Sequence, residues 1–183
     1  MIRYLSNARS RAIKHAWQDP TDQLTVFSDS GWAGCVKTRR STRGGVLLHG
    51  EHLVHHWSST QAAVALSSAE AELNAIDKGI AEVIGAKSMV EECSRSCRGR
   101  IFTDSSAANG TVHREGCGKV KHLECRQLWI QGMVGSGKVT CLKVPRTDNT
   151  ADAMTHYWNF NDGLNHFKKM GVVDSECSRA VDR

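Results

Sequence analysis

Three β-rich runs follow one another closely before a long helical pattern, and this order favours an α/β fold. The runs cover residues 24–30, 43–50 and 52–59, and a Gly-Glu turn separates the last two. "SSAE", which begins at Ser67, is a capping box, and the apolar spacing after it predicts a helix of about seven turns. Together these elements predict an antiparallel three-stranded meander with one helix packed against it.

The rest of the chain adds two strands and four helices to this arrangement. The strands are predicted at 100–106 and 138–145, and the helices at 2–17, 106–113, 122–134 and 149–158. Asn149 or Thr150 is expected to cap the last helix. A chain of 183 residues with two prolines and no internal repeats suits one domain without a flexible linker.

Charge and cysteine content narrow the class of protein. Lys and Arg number 24 against 19 Asp and Glu, and the formal charge of +5 is compatible with an anionic partner. No run approaches the ~18 apolar residues of a membrane helix, and arginines interrupt the region where a signal peptide needs an apolar core. The seven cysteines are irregularly spaced, so we expect reduced thiols in a soluble intracellular protein.

Three cysteines and one histidine have a spacing that could hold a tetrahedral zinc ion: Cys93, Cys97, His113 and Cys117. The first pair closes the long predicted helix, and a predicted strand separates it from the second pair. A compact zinc knuckle has no such insertion. Ordinary thiols are therefore favoured, and a zinc-stabilised interaction module is the weaker alternative.

Two predicted strands end in matching sequences, "VFSD" at Asp29 and "IFTD" at Asp104. Functional sites of α/β sheets form at the ends of strands. If these two strands are neighbours in the sheet, the two carboxylates converge at one edge.

Two further acids are placed to join them. Glu72 lies on the apolar, sheet-facing stripe of the long helix, whereas Glu70 is expected on its water-facing side as a capping residue. Asp152 lies in the first turn of the last predicted helix. Each acid also has a local interpretation, as a strand-end turn, a surface charge or a helix-dipole partner, and spacing alone leaves both interpretations open.

A cluster of four carboxylates would require cations, because the charges would otherwise repel one another strongly. Oxygen-only ligation favours magnesium or manganese over zinc. Two such ions about 4 Å apart can activate a water and stabilise the leaving oxygen of a phosphodiester.

The motifs around these acids resemble the ribonuclease H domain of copia-type retrotransposon polyproteins. "SDSGWAGCVKTRRSTRGGVLLHG" and "HHWSSTQAAVALSSAEAELNAI" carry the resemblance, and "IFTDSSAAN", "KVKHLECRQLWI" and "VPRTDNTADAMT" continue it in the same order. It implies a ribonuclease H-like domain at 24–158, with a five-stranded mixed sheet and helices on both faces. The leading helix at 1–20 is then similar to the end of a reverse-transcriptase segment, and 159–183 to a short amphipathic tail.

The resemblance also implies an activity and a ligand set. The activity is cleavage of the RNA strand of RNA–DNA hybrids, with two magnesium ions, replaceable by manganese, held by Asp29, Glu72, Asp104 and Asp152. The implied partners are the hybrid and the reverse-transcriptase part of the same polyprotein. The implied location is the cytoplasm, within virus-like particles, or the nucleus. The alternative is a catalytically weak or inactive remnant that only binds nucleic acid.

Several residues outside the acid set are candidates for contact with nucleic acid. They are Arg39, Arg40, Arg43, Lys119, Lys121, His122 and Arg126, and a solvated surface is the alternative. Cys35 stands where the family has an acid, and the loop "PRTDN" lacks a histidine that related cellular enzymes carry. Trp32 and Trp57 are expected in the core.

Overall fold

The computed structural model describes residues 11–116, 124–157 and 160–174. Its elements in chain order are β1 (Arg11–Ile13), β2 (Gln23–Gly31), β3 (Thr42–His49), β4 (His52–Thr60), α1 (Ser68–Glu92), β5 (Arg98–Thr103), α2 (Ser106–Val112), α3 (Glu124–Gly135), β6 (Val139–Lys143), α4 (Asp152–Thr155), α5 (Phe160–Lys169) and β7 (Val172–Asp174). A short 3₁₀ turn at Arg146–Asp148 precedes α4. The elements form an α/β structure.

Five strands form one mixed sheet in the order β4-β3-β2-β5-β6. Strands β2, β3 and β4 pair antiparallel, as the closely spaced β-rich runs predict. Strands β5 and β6 then join the other side of β2 in parallel, each after a helical connection. The predicted sheet of three antiparallel strands with two parallel additions is confirmed.

Helix α1 covers one face of this sheet. Its apolar stripe packs Ile76, Ile80 and Val83 against Val26 and Ile101 in the main core. Gly79 lies over β2, where an added Cβ would stand 3.0 Å from Val26 Cγ1. The missing side chain therefore lets the helix approach the sheet closely, two turns beyond Glu72.

The opposite face is covered by the C-terminal helices. Val46 and Leu48 of β3 pack there with Met170 after α5 and with Met154 of α4. Alternate residues of β2 and β3 thus enter two different cores, as expected for strands in a sheet with helices on both faces.

The prediction of a leading helix at 2–17 is wrong for the C-terminal part of that range. Residues Arg11–Ile13, predicted within a helix at 2–17, form β1 and pair antiparallel with β7. The Lys14 amide also donates to the Gly171 carbonyl at 2.8 Å. Tertiary pairing outweighs the local helical spacing in so short a segment, and residues 1–10 lie outside the described part of the chain.

The helix predicted at 149–158 is shorter than expected, because it begins at Asp152 and ends at Thr155. Neither Asn149 nor Thr150 is its cap, since the cap position is Ala151 and carries no side-chain hydrogen bond. The Asn149 side chain instead donates to the Ser28 carbonyl at 3.0 Å and accepts from the Ala151 amide at 3.3 Å. It therefore ties the start of α4 to β2.

Within the described ranges, no helix combines the length and the apolar character needed to cross a membrane.

Candidate metal centre

The two matching strand endings lie side by side. Strand β2 pairs in parallel with β5, and Phe27 is in register with Phe102. Asp29 and Asp104 each follow two residues later, so both carboxylates reach the same edge of the sheet. Asp29 is only 4% exposed.

Glu72 joins this edge from α1 and is 9% exposed. The Ser30 hydroxyl donates to Glu72 Oε1 at 3.3 Å. Glu72 Oε2 is buried and has no hydrogen-bond partner in the described structure. A buried carboxylate oxygen in this state is costly unless something else binds it.

The expectation that Glu70 is exposed is wrong, because it too is only 9% exposed. Its amide donates to the Ser67 hydroxyl at 3.1 Å, as the capping box predicts. Its carboxylate turns back and accepts from the Leu66 amide at 2.8 Å, which folds the side chain over the helix end. Glu70 is therefore a buried capping residue, separate in role from Glu72.

Helix α4 brings Asp152 to the same edge from the opposite face of the sheet. Gly44, the cross-strand partner of Asp29, allows this approach. A Cβ at Gly44 would stand 2.6 Å from Met154 Cβ and 2.8 Å from Thr155 Cγ2. Because that space is open, the Thr155 hydroxyl reaches Asp29 and donates to its Oδ2.

Together the acids form two overlapping groups that share Asp29. One group is Asp29, Glu72 and Asp104, and the other is Asp29, Asp152 and His156. In each group the potential ligand atoms all lie within 4.8 Å of one another. The structure therefore brings all four acids named from the sequence to one place.

The electrostatics of this cluster disfavour full ionisation. Burial raises the pKa of Glu72 to about 8, and the charges of Asp29 and Asp104 add to the rise. Burial also raises the pKa of Asp29, although the hydrogen bond from Thr155 works in the opposite direction. The pKa of Asp104 is raised by burial first and by the charge of Asp152 second.

A divalent cation fits this arrangement. The donors are carboxylate oxygens, which magnesium and manganese prefer, and Glu72 Oε2 offers a buried oxygen without another partner among the described residues. A bound cation would also offset the mutual repulsion of the acids.

Two side chains next to Asp152, those of Arg146 and His156, were not identified from the sequence. His156 Nε2 lies 3.3 Å and Arg146 Nη2 3.5 Å from Asp152 Oδ1. The two side chains also contact each other at 3.4 Å. The available signal was the spacing of four residues between Asp152 and His156 on a predicted helix, which places both on one side.

The residues named for nucleic-acid contact separate into three groups. Arg39 and Arg40 are exposed in the loop between β2 and β3. Arg43 donates to Ser59 Oγ at 3.2 Å, and Arg126 is held by α1, with Nη1 2.8 Å from Asn74 Oδ1 and Nε 3.4 Å from Asp77. Lys119, Lys121 and His122 lie outside the described residues.

The two tryptophans expected in the core differ from each other in exposure. Trp57 is buried against Gly45, where an added Cβ would stand 2.1 Å from the indole ring. Trp32 is 51% exposed, so the core assignment is wrong for this residue. Trp32 comes just after the end of β2, where the alternation of buried and exposed positions no longer applies.

The thiols do not enter a metal group in the described ranges. Cys93 is exposed and Cys97 is buried, both as free thiols. Cys117, the fourth member of the suggested zinc set, lies outside those ranges.

The Thr155 hydroxyl is expected to support cation binding, because it fixes the orientation of the Asp29 carboxylate. Thr155→Val should weaken manganese binding about tenfold, a typical loss when a residue that orients a ligand is changed. Isothermal titration without nucleic acid measures this affinity. Thr155→Ser should bind normally, and so should Thr111→Val, a change at a half-buried helical threonine outside the cluster. Equal affinity in Thr155→Val and the wild type would contradict the assignment.

Comparison of sequences gives consistent relatives over most of the chain. No family model matches this chain. The Pol polyprotein of transposon TNT 1-94 from Nicotiana tabacum is 27% identical over 161 residues, which is 85% of this chain. The Pol polyprotein of transposon RE2 from Arabidopsis thaliana is 27% identical over 180 residues, or 94% of the chain. The chain spans only 12% of the length of either relative.

Comparison of structures identifies the fold. LC11-RNase H1, isolated from compost by a metagenomic approach, superposes with a TM-score of 0.57 at 15% identity, covering 79% of this chain and 97% of that one. The same enzyme in complex with an RNA/DNA hybrid gives a TM-score of 0.54 at 15% identity, covering 72% and 92%. The chain thus has a ribonuclease H-like fold, and its homologues over most of its length are Pol polyproteins of copia-type retrotransposons.

Proposed function

We propose that this protein is a metal-dependent endonuclease that hydrolyses the RNA strand of RNA–DNA hybrids during retrotransposon reverse transcription. The observation that carries the proposal is the convergence of Asp29, Glu72 and Asp104 around a buried carboxylate oxygen with no hydrogen-bond partner in the described structure. The ribonuclease H-like fold and the retrotransposon homologues support it.

In this proposal Asp29, Glu72, Asp104 and Asp152 hold two magnesium ions, which manganese can replace. Such ions supply a lowered pKa for the attacking water and stabilisation of the charge on the leaving 3′ oxygen. The four carboxylates provide only oxygen donors, and their crowding gives the site a strong preference for cations.

Neighbouring side chains would orient these acids. Ser30 holds one oxygen of Glu72, and Thr155 holds one oxygen of Asp29. Arg146 and His156 are partly exposed beside Asp152, where they can meet the phosphates of an approaching strand. Discrimination of RNA from DNA would come from contacts to 2′-hydroxyls across the wide minor groove of the hybrid.

The homologues supply the proposed biological context. They are polyproteins, so the reverse-transcriptase part of the same polyprotein is the expected protein partner. The proposed location is the cytoplasm, within virus-like particles, or the nucleus.

A cleavage assay on the 183-residue chain tests the proposed function. With magnesium, the protein should cut the RNA strand of an end-labelled hybrid and leave duplex DNA intact. Chelation with EDTA should stop cutting, and excess magnesium should restore it. Salt-dependent binding of the hybrid without cleavage, across titrations of magnesium and manganese, would overturn the proposal in favour of an inactive remnant.

A further inference from the structure

The surface next to the carboxylate cluster carries an exposed aromatic ring. Trp32 is 51% exposed, and its indole Nε1 donates to the Ala65 carbonyl at 3.1 Å. This hydrogen bond fixes the edge of the ring. The neighbours of Ala65 in the chain, Val64 and Leu66, are also exposed. Trp32 is thus held against the segment before α1 with much of its apolar surface open to solvent.

The loop that follows Trp32 is well structured. The Arg39 amide donates to the Cys35 carbonyl at 2.7 Å, and the Cys35 amide donates to the Arg40 carbonyl at 3.2 Å. The Ala33 amide donates to the Ser41 hydroxyl at 3.0 Å. These bonds close the loop on itself and order its backbone, which lowers the entropic cost of ordering the loop on binding.

The charge of this surface is positive. Lys37, Arg39 and Arg40 are all exposed in the loop. Between Asp29 and Glu70 the sequence contains a single acidic residue, Glu51, which lies in the turn between β3 and β4. An apolar ring followed in the chain by three exposed basic side chains matches a sugar–phosphate backbone.

The surface also borders the carboxylate cluster. Trp32 is three residues after Asp29, so their Cα atoms are at most about 11 Å apart. A strand held at Trp32 would therefore pass close to the acids, within two or three nucleotides along a backbone.

We propose that Trp32 and the basic loop after it form a binding surface for the sugar–phosphate backbone of the hybrid. The ring packs against the sugars of one strand, while Arg39, Arg40 and Lys37 contact its phosphates. This inference rests on the proposed function only for the identity of the ligand, because it requires binding and not cleavage.

The test measures binding of a fluorescently labelled hybrid by anisotropy, in EDTA and over a series of salt concentrations. Trp32→Ala should weaken binding of the hybrid roughly tenfold. The exposed half of the indole surface would be buried against the hybrid in the wild type, and the variant loses this contact. Because the ring is uncharged, the slope of log K against log salt should not change. Arg40→Ala should weaken binding and reduce that slope by about 1, since one phosphate contact is lost.

Two controls make the result specific. Trp17 is 90% exposed in the segment before β2, so Trp17→Ala tests the general effect of removing a surface indole and should bind normally. Trp32→Phe should retain most of the affinity, because an aromatic face remains. The assignment would be overturned if Trp32→Ala bound the hybrid as well as the wild type, or if Trp17→Ala lost as much affinity as Trp32→Ala. A partner protein would then be the better occupant of the surface around Trp32.

The outcome also separates this inference from the proposed function. If Trp32→Ala loses affinity while the wild type never cleaves, the surface stands and the nuclease proposal fails. If the wild type cleaves the hybrid and Trp32→Ala binds and cleaves equally well, the nuclease proposal stands and the surface is overturned.

Discussion

Asp104→Asn should abolish cleavage of the RNA strand while leaving the fold and hybrid binding intact. The change replaces the proposed anionic ligand that directly follows β5 with a nearly isosteric amide. Loss of one carboxylate from a two-ion site is worth several kcal/mol of transition-state stabilisation, so the rate should fall about 10³-fold or more. Hybrid binding depends on phosphate contacts and should persist, or improve because one negative charge is lost.

The matched control for this variant is Asp148→Asn. Asp148 lies in the 3₁₀ turn near the cluster, but its carboxylate is exposed and pairs with Lys169 Nζ at 2.9 Å. Asp148→Asn should cleave at the wild-type rate. Equal cleavage by wild type and Asp104→Asn would indicate a contaminating nuclease and remove the support for Asp104 as a ligand.

Without a metal ion, the protein should lose stability as the pH rises. The pKa of Glu72 is about 8 in the folded protein, compared with 4.5 for an ordinary glutamate. Below about pH 4.5 the group is protonated in both the folded and the unfolded state, and it costs nothing. Above about pH 8 it is ionised in both states, and the folded state bears the whole cost of burying the charge.

The free energy of unfolding in EDTA should therefore fall between about pH 5 and about pH 8, by up to about 5 kcal/mol from this group. Burial raises the pKa of Asp29 and of Asp104 in the same direction, so both add to the loss. Urea unfolding at several pH values measures the effect. Millimolar magnesium should restore much of the stability at the high-pH end, because it binds only the folded protein.

Glu72→Gln identifies the group responsible, because glutamine does not ionise. This variant should be more stable than the wild type near pH 8 in EDTA, and its stability should depend much less on pH. Glu51→Gln, a change at an exposed glutamate in the turn before β4, should keep the wild-type dependence. A wild-type dependence retained in Glu72→Gln would show that Glu72 is not the titrating group.

The fold was predictable where local patterns suffice. The β-rich runs, the capping box at Ser67 and the apolar spacing of α1 correspond to observed elements. The pairing of β2 with β5 is different, because it joins segments more than 70 residues apart and no local pattern records it. It became predictable only through the matching strand ends and the family motifs.

Local patterns also predicted which side chains form the cluster. Asp29 lies near the end of β2, Asp104 directly follows β5, and the periodicity of α1 directs Glu72 to the sheet. The errors occurred where such rules stop applying. Glu70 is buried by a hydrogen bond that helix periodicity does not describe, and Trp32 follows a strand end, where alternation no longer predicts exposure.

Close approaches of the backbone were not predictable from the sequence. Gly44 looks like an ordinary strand residue in the sequence, yet its missing Cβ admits Met154 and Thr155 and so positions α4 beside Asp29. The neighbours of Asp152, Arg146 and His156, depend on that same placement. Their positions follow from packing between distant segments and not from spacing along the chain.

The most direct test of the central claim is anomalous diffraction from manganese in crystals of the protein bound to a hybrid. We expect two manganese peaks about 4 Å apart, ligated by Asp29, Glu72, Asp104 and Asp152. Asp104→Asn crystals prepared identically should lose at least one peak. Absence of manganese from these four carboxylates at saturating concentration, with the hybrid bound, would contradict the account.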